Sequence, residues 1–301
     1  MTYLHKWLQL IKERFSPVSY AVMIFVFLGA HYVLYLNFIK QDITLDFSDI
    51  LHLIPLFFAT SLFFFKLRLF DEVKDMESDT VNHPERPLPR GLLSKDEVTQ
   101  IAFIIVAMEM ALLSFYGFWA FVSAAVAAGY SLVMYREFFI KKWLRAHLTT
   151  YAVMHTFVVV LISATIFIAL FGESFTKIPG DLVYFSFAGW FLFNIFEFGR
   201  KTYARSEEKE GVDSYSKIFG RLGATLLVLA MATLSITFIS KATGPVISNV
   251  LLLWLFPLGI LGLLYAIFDR IRFAKVYRAT TSLYIIFTYG SVVLLGALII
   301  L

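Results

Sequence analysis

Acidic residues crowd one short segment of this chain, residues 68–94, whose sequence is RLFDEVKDMESDTVNHPERPLPRGLLS. Asp71, Glu72, Asp75 and Asp79 recur there at intervals of three and four residues. On a helix these intervals stack carboxylates along one face, where they repel one another unless positive charge lies against them. A lysine, water or a metal ion could lie against such a row.

The chemistry that this segment suits is the binding of a diphosphate together with a divalent cation. Mg²⁺ usually takes one or two carboxylates and completes its shell with water and phosphate oxygens. Arginines and lysines nearby suit diphosphate oxygens, and an arginine can bind two of them at once. Lys74 and Arg86 of the same segment are alternative partners for the acids. A solvated connecting loop is the plainer interpretation.

A second charged segment covers residues 199–221 and follows a long apolar stretch. Glu197 falls near the end of that stretch, where an ionisable side chain is costly and tends to face a cavity. Arg200 and Lys201 come three and four residues later, at helical spacing. We therefore expect the two charged segments to face one cavity.

Membrane-spanning helices are the elements that must position these residues. The 301-residue chain is 59% hydrophobic and 16% charged, whereas soluble proteins are about a quarter charged. Apolar runs of bilayer length recur along the whole chain, which predicts an all-α polytopic bundle of about nine spans. The chain has no cysteine, which excludes disulfides and thiolate metal sites. Membrane lipid is the expected surrounding, and no nucleic-acid partner is expected.

Turn and capping signals separate the predicted spans. Ser94 with Glu97 forms a capping-box pattern before the third span, and residues 40–49 read as an acidic loop after the first. The predicted spans cover about residues 17–38, 50–69, 97–115, 118–135, 147–171, 181–198, 222–240, 248–268 and 281–301. We treat the chain as a single transmembrane domain, residues 1–301.

Basic residues are distributed unevenly between the two ends of these spans. All but three of the 26 lysines and arginines fall on one side, the exceptions being Lys40, Lys177 and Lys241. The positive-inside rule therefore predicts a cytoplasmic N-terminus, with the charged loops 66–97, 136–146 and 199–221 also in the cytoplasm.

The order DEVKDMESD followed by HPERPLPRG resembles the first signature of the UbiA superfamily of intramembrane prenyltransferases. That signature reads Asn-Asp-x-x-Asp-x-x-x-Asp, followed by an Arg-Pro-Leu-like turn. Asp71 stands at the Asn position, Glu72 at the first Asp, and Asp75 and Asp79 at the other two. GVDSYSKIFG, residues 211–220, is similar to the end of the second signature. Its acidic part departs more, because Glu197, Glu207 and Glu208 stand where aspartates are expected, and the basic pair Arg200-Lys201 is inserted in the pattern.

This resemblance implies a helical bundle around a central cavity, capped by the loops after the second, fourth and sixth spans. It implies Mg²⁺-dependent transfer of a prenyl group from an isoprenyl diphosphate to an acceptor in the membrane. The catalytic residues that it implies are Asp71, Glu72, Asp75, Asp79 and Glu197.

The resemblance also implies which side chains hold the ion and the diphosphate. Asp71 binds metal or orients a metal-bound water, and Glu197 with Glu207 or Glu208 holds a second metal or serves the acceptor. The implied metal ligands are Glu72, Asp75, Asp79, Glu197, Glu207 and Glu208. The implied diphosphate-binding residues are Arg68, Lys141, Lys142, Arg200 and Lys201.

Two alternatives stay open at this point. The altered second motif also fits a prenyl-diphosphate cyclase or a lipid-forming transferase of the same fold. A membrane transporter is less favoured, because transporters carry charges at mid-membrane whereas these cluster at one mouth. His147 and His155 lie eight residues apart without a partner carboxylate, so no metal role is expected for them. The acceptor, the donor chain length and the oligomeric state are not predicted.

Overall fold

The computed structural model describes residues 2–39 and 47–300, and within those ranges the regular structure is entirely helical. The acidic loop expected at residues 40–49 lies outside the described residues as far as residue 46. The helices are α1 Tyr3–Arg14, α2 Pro17–Ile39, α3 Phe47–Asn82, α4 Lys95–Ser114, α5 Phe118–Tyr135, α6 Lys141–Ala146, α7 Leu148–Thr156, α8 Val158–Phe171, α9 Gly180–Arg200, α10 Tyr215–Thr243, α11 Pro245–Ile267 and α12 Ile271–Ile300.

Nine spans in the described part of the chain are long and apolar enough to cross a membrane, with α7 and α8 forming one of them. The predicted all-α bundle of about nine spans is confirmed. The capping box before α4 is also confirmed, since Glu97 N donates to Ser94 Oγ at 3.2 Å and Ser94 N donates to the Glu97 carboxylate at 2.7 Å.

Several helices are longer than their apolar stretches. The apolar run of α3 ends near residue 69, but the helix continues through the acidic motif to Asn82. The helix therefore ends about three and a half turns beyond the predicted end of this span, because the polar turns remain helical after leaving the apolar region. The consequence is that the acidic motif lies on a regular helix.

A short helix that the sequence analysis did not predict, α1, lies against the charged end of α3. Its buried residues Trp7 and Leu10 pack in one apolar cluster with Leu69, Phe70 and Val73 of α3. A hydrophobic stripe on a polar helix is what holds such a helix to a larger body. This packing brings the end of α1 next to the acidic motif.

Two features fix the helices around the site. Gly199 lets α9 approach α12, because a Cβ at this glycine would lie 2.1 Å from Thr281 Oγ1. The fifth span breaks at Phe157, and side chains satisfy backbone carbonyls just before the break. Tyr130 Oη donates to the carbonyl of Met154 at 2.6 Å. Backbone polar groups must find such partners inside a membrane.

One buried ion pair joins α3 to α4 away from the charged end. Lys66 Nζ lies 2.6 Å from Glu109 Oε2, and both side chains are almost fully buried. The Lys66 ammonium also lies 4.0 Å from the centre of the Phe63 ring. Opposite charges within a span are expected to pair in this way, since an unpaired charge is costly there.

Candidate active site

The acidic motif lies on the last turns of α3, so its carboxylates follow one helix face. Asp71, Asp75 and Asp79 recur every four residues, which places them about 6 Å apart along the helix axis. A cavity of about 530 Å³ opens beside this face, between α3, α7 and α9. All four acids of the motif line it, together with Arg68.

The opposite wall carries the start of the second charged segment. Glu197, Arg200 and Lys201 line the same cavity. The Glu197 carboxylate accepts hydrogen bonds from Arg200 at 2.5 and 2.9 Å, and Lys201 Nζ lies 3.1 Å from it. The structure thus brings together eight residues that the sequence analysis proposed for the site.

Cations neutralise most of the acidic row. Glu72 Oε1 accepts a hydrogen bond from Arg14 Nε at 2.6 Å and is also contacted by Arg68 Nη2. Lys74 Nζ lies 2.8 Å from Asp71 Oδ1. Of the partners that could lie against the stacked carboxylates, the structure therefore shows basic side chains of the protein itself.

The remaining two aspartates differ in their partners. Arg86 Nη1 donates to Asp79 Oδ1 at 2.6 Å, whereas the nearest cation to Asp75 is Arg145, at 3.8 Å. The Asp75 side chain is 41% exposed towards the cavity, compared with 7% for Asp79. Asp71 is as exposed as Asp75 but is paired with Lys74 at 2.8 Å, so Asp75 is the exposed acid of the row that has no close cation.

The other proposed residues do not line the cavity. Glu208 accepts hydrogen bonds from Ser214 at 2.7 Å and Ser216 at 2.6 Å. These bonds hold the loop before α10 against the first turn of that helix. The exposed Lys141 lies 4.0 Å from Glu77, and Lys142 is exposed as well. A basic residue of the same short helix that does line the cavity is Arg145.

Glu207, in the same loop, is held by an ion pair and a backbone hydrogen bond. Arg278 Nη2 lies 2.7 Å from its Oε1, and the backbone N–H of Ala204 donates to its Oε2 at 3.1 Å. Burial alone would raise the pKa of Glu207, but the hydrogen bonds from Arg278 and from the Ala204 backbone, together with the charges of Arg278 and Lys275, outweigh it and hold that pKa below its usual range. These contacts link the loop after α9 to α12.

Sequence reasoning missed two cations of the site, Arg14 and Arg145. Arg14 is 58 residues from Glu72 in sequence, and only the packing of α1 on α3 brings them together. The one available signal was the basic end of α1. Arg145 was passed over for the neighbouring Lys141 and Lys142, because an adjacent basic pair matched the family pattern.

The residues present fit Mg²⁺ that is shared with phosphate oxygens. Carboxylate oxygens are the ligands that Mg²⁺ prefers, and Glu72 Oε2 is buried with no hydrogen-bond partner among the residues that the structure describes. Across the described residues, no three Asp, Glu or His side chains gather closely enough to hold an ion by themselves. Mg²⁺ seldom needs such a set, because it usually takes one or two carboxylates and fills its shell with water and phosphate.

In the part of the chain that the structure describes, nine apolar spans and a cavity of paired acids and bases define a polytopic membrane protein with an anion-binding type of site. The model of the UbiA prenyltransferase family matches residues 43–291, most of the chain. The chain therefore belongs to the UbiA prenyltransferase family, and the resemblance inferred from its motifs is confirmed. It is an integral, multi-pass membrane protein.

Solved structures share this fold. One, from work on digeranylgeranylglyceryl phosphate synthase in membranes, has a TM-score of 0.57 and 18% identity, covering 93% of this chain and 97% of that one. Another, the apo structure of a UbiA homologue from Aeropyrum pernix K1, has a TM-score of 0.62 and 16% identity, covering 91% and 97%. At these identities the likeness concerns the fold alone. A search of curated proteins gives no match.

Proposed function

We propose that the protein transfers a prenyl group from an isoprenyl diphosphate to an acceptor within the membrane, with Mg²⁺ as cofactor. The observation that carries this proposal is the single cavity in which the acidic row of α3 meets Arg14, Arg145, Arg200 and Lys201. A row of acids that faces basic residues across one cavity suits a metal-bound diphosphate. Membership of the family supports the same class of reaction.

In this proposal, the acids of the cavity hold the metal ion and the bases bind the diphosphate. Glu72, Asp75 and Asp79 would hold Mg²⁺, which when bound stabilises negative charge on the leaving diphosphate. Arg68 and the two basic residues after Glu197 bind the remaining phosphate oxygens. Asp71 keeps Lys74 directed towards the cavity through their 2.8 Å contact.

The deeper part of the cavity suits the prenyl chain. Phe64 and Phe193 line it and stack on one another with ring centroids 5.6 Å apart. Val158 and Val159 complete an apolar wall. Such a wall excludes water from an allylic cation, and ring faces attract positive charge. A cavity with a charged wall and an apolar wall suits a donor with a charged head and an apolar tail.

The acceptor is the open part of the proposal. The relative studied as digeranylgeranylglyceryl phosphate synthase makes a glyceryl phosphate lipid a specific candidate, so a lipid-forming transferase is our second reading. Cyclisation of the donor remains the other outcome to test. Family membership favours these enzyme classes over transport. Because of the distribution of basic residues, we place the N-terminus and the cavity mouth in the cytoplasm.

The test is product analysis with purified protein in lipid nanodiscs. Mg²⁺ and a series of prenyl diphosphates are supplied with and without two acceptors, a phenolic carboxylate and a prenylglyceryl phosphate. We expect diphosphate release coupled to a prenylated acceptor. Diphosphate release together with a cyclic hydrocarbon would favour a cyclase. If no donor released diphosphate, both the transferase and the cyclase readings would be refuted.

A further inference from the structure

His155, on the last turn of α7, lines the cavity that the acidic row faces. Its Nδ1 lies 2.7 Å from the backbone carbonyl oxygen of Tyr151. A carbonyl oxygen only accepts hydrogen bonds, so Nδ1 carries the proton and Nε2 of the neutral ring carries a lone pair. Nε2 is buried and has no hydrogen-bond partner among the described residues.

The imidazole is held in one orientation. Its ring stacks on Tyr151 with centroids 3.9 Å apart, and Phe138 packs edge-on at 5.6 Å. The turn that carries it is fixed by Trp190, whose Nε1 donates to the carbonyl of Val153 at 2.9 Å. A base whose position is fixed before the reaction loses little in reorganisation.

The carboxylates that line the cavity are poorer candidates for a base. Four of them are in close ion pairs, as described above: Asp71, Glu72, Asp79 and Glu197. Asp75 belongs to the proposed metal set, and Asp213 lies exposed at the rim. The other histidine of the cavity, His83, has Nδ1 3.3 Å from Glu85 and lies near the mouth. His155 is the neutral base that faces the interior.

We propose that His155 Nε2 is the general base of the transfer step, a role that rests on the function proposed above. The C1–O bond of the donor breaks, and its electron pair leaves with the diphosphate. A hydroxyl oxygen of the acceptor forms the new bond to C1, and the hydroxyl proton moves to Nε2. The imidazolium then releases this proton to water at the open mouth. The acceptor class is therefore a hydroxyl compound that reaches the α7 wall.

The experiment compares His155→Asn with wild-type protein in nanodiscs. An asparagine amide can keep the hydrogen bond to the Tyr151 carbonyl but has no group at the position of Nε2. We expect kcat for transfer to the prenylglyceryl phosphate or the phenolic carboxylate to fall by about 10²- to 10⁴-fold, the usual contribution of a general base. The affinity for Mg²⁺ with a prenyl thiolodiphosphate, a slowly reacting donor analogue, should change less than twofold.

His147→Asn is the matched control. Its Nδ1 also lies close to the carbonyl four residues earlier, at 2.8 Å from Trp143 O, and its ring stacks on Trp143 at 4.4 Å. His147 is exposed and does not line the cavity. This variant should transfer at the wild-type rate, which separates the loss of Nε2 from the loss of a stacked histidine.

Rescue with added imidazole distinguishes a chemical role from a structural one. His155→Ala should regain at least tenfold in transfer rate with imidazole, and melting temperatures identify any variant that is misfolded. Transfer by His155→Asn within threefold of wild type would overturn the proposal. So would a parallel loss of donor affinity, or an alanine variant that folds but is not rescued. If wild-type protein prenylates no acceptor while it consumes donor, the proposed transfer fails, and the role of His155 fails with it.

Discussion

Arg14 Nε lies 2.6 Å from Glu72 Oε1, so the short N-terminal helix α1 closes onto an acid in the middle of the charged row. Arg68 contacts the same oxygen, and within residues 2–39 and 47–300 Glu72 Oε2 has no hydrogen-bond partner. An ion that binds Glu72 must therefore share the carboxylate with two guanidinium groups. The packing of α1 on α3 determines how close Arg14 lies to Glu72, and therefore how strongly Arg14 repels a cation bound there.

This relationship predicts that Arg14→Gln lowers the Mg²⁺ concentration needed for half-maximal turnover. The variant removes one positive charge next to Glu72, worth on the order of 1 kcal/mol at a partly exposed site, or about fivefold in concentration. Mg²⁺ titration of prenyl transfer measures it. Lys12→Gln, an exposed residue of the same helix, is the control. An unchanged or raised Mg²⁺ requirement in Arg14→Gln would contradict the competition.

Asp75→Ala should remove Mg²⁺-dependent turnover while leaving expression and folding intact. Asp75 is the acid of the row with the most distant cation, 3.8 Å away, and it faces the cavity. Losing a metal ligand costs several kcal/mol of transition-state stabilisation, so the rate should fall at least about 100-fold. Glu77→Ala is matched, because it lies on the same helix with its side chain 88% exposed. Near-normal turnover would remove Asp75 from the metal site.

Two glutamates proposed for the second motif, Glu197 and Glu208, should respond differently to neutral substitutions. Glu197→Gln leaves Arg200 and Lys201 without their carboxylate in the cavity, so turnover should fall at least about tenfold. Glu208→Gln instead weakens the bonds from Ser214 and Ser216, so it should lower the melting temperature and leave the Mg²⁺ requirement unchanged. Unchanged turnover in the Glu197 variant would mean that this placement of the second motif is wrong.

The pair of Glu207 and Arg278 should make stability depend on pH in the acid range. The pKa of Glu207 is lowered in the folded protein, so its contribution is fully present above the unfolded value of about 4.3. It is lost as the pH falls through the lower folded value. Melting temperatures between pH 7 and pH 3 should therefore drop more in wild type than in Glu207→Gln. Parallel curves would show that the pair contributes nothing.

The stacked rings of Phe64 and Phe193 should limit the donor chain. Phe64 lies seven residues before Asp71, so the rings lie about 10 Å deeper than the charged layer. Phe193→Ala should shift binding towards prenyl diphosphates that are at least one isoprene unit longer. The control is Phe191→Ala, whose ring packs on Phe238 outside the cavity. Competition binding across a chain-length series decides the matter, and identical profiles for both variants would refute the limit.

The acidic row could be predicted because its spacing needs only local information. Intervals of three and four residues put Asp71, Asp75 and Asp79 on one face wherever the helix runs. The number of spans was predictable for a similar reason, since bilayer thickness sets the length of an apolar run. The end of α3 could not be predicted in this way, because hydropathy marks where the membrane ends and carries no information about where the helix ends.

Long-range partners could not be read from the sequence. Glu207 and Glu208 were proposed as ligands from the family pattern. Glu207 instead pairs with Arg278, 71 residues away on α12, and Glu208 accepts a hydrogen bond from Ser214 in the folded loop before α10. His155 was set aside because it lacked a partner carboxylate. What points to a role for His155 is that Nε2 has no hydrogen-bond partner in the described part of the chain. Burial of Nε2 at a cavity wall depends on the fold, so the sequence could not show it.

The ion pair of Lys66 and Glu109 bears on how the chain enters the bilayer. Each residue alone would add about 2.5 to 3.5 kcal/mol to the insertion of its helix. Side by side they neutralise one another at 2.6 Å, which happens only when α3 and α4 are adjacent. These two helices are therefore expected to insert as one hairpin. The acidic row at the end of α3 would then reach its final depth before the later spans are made.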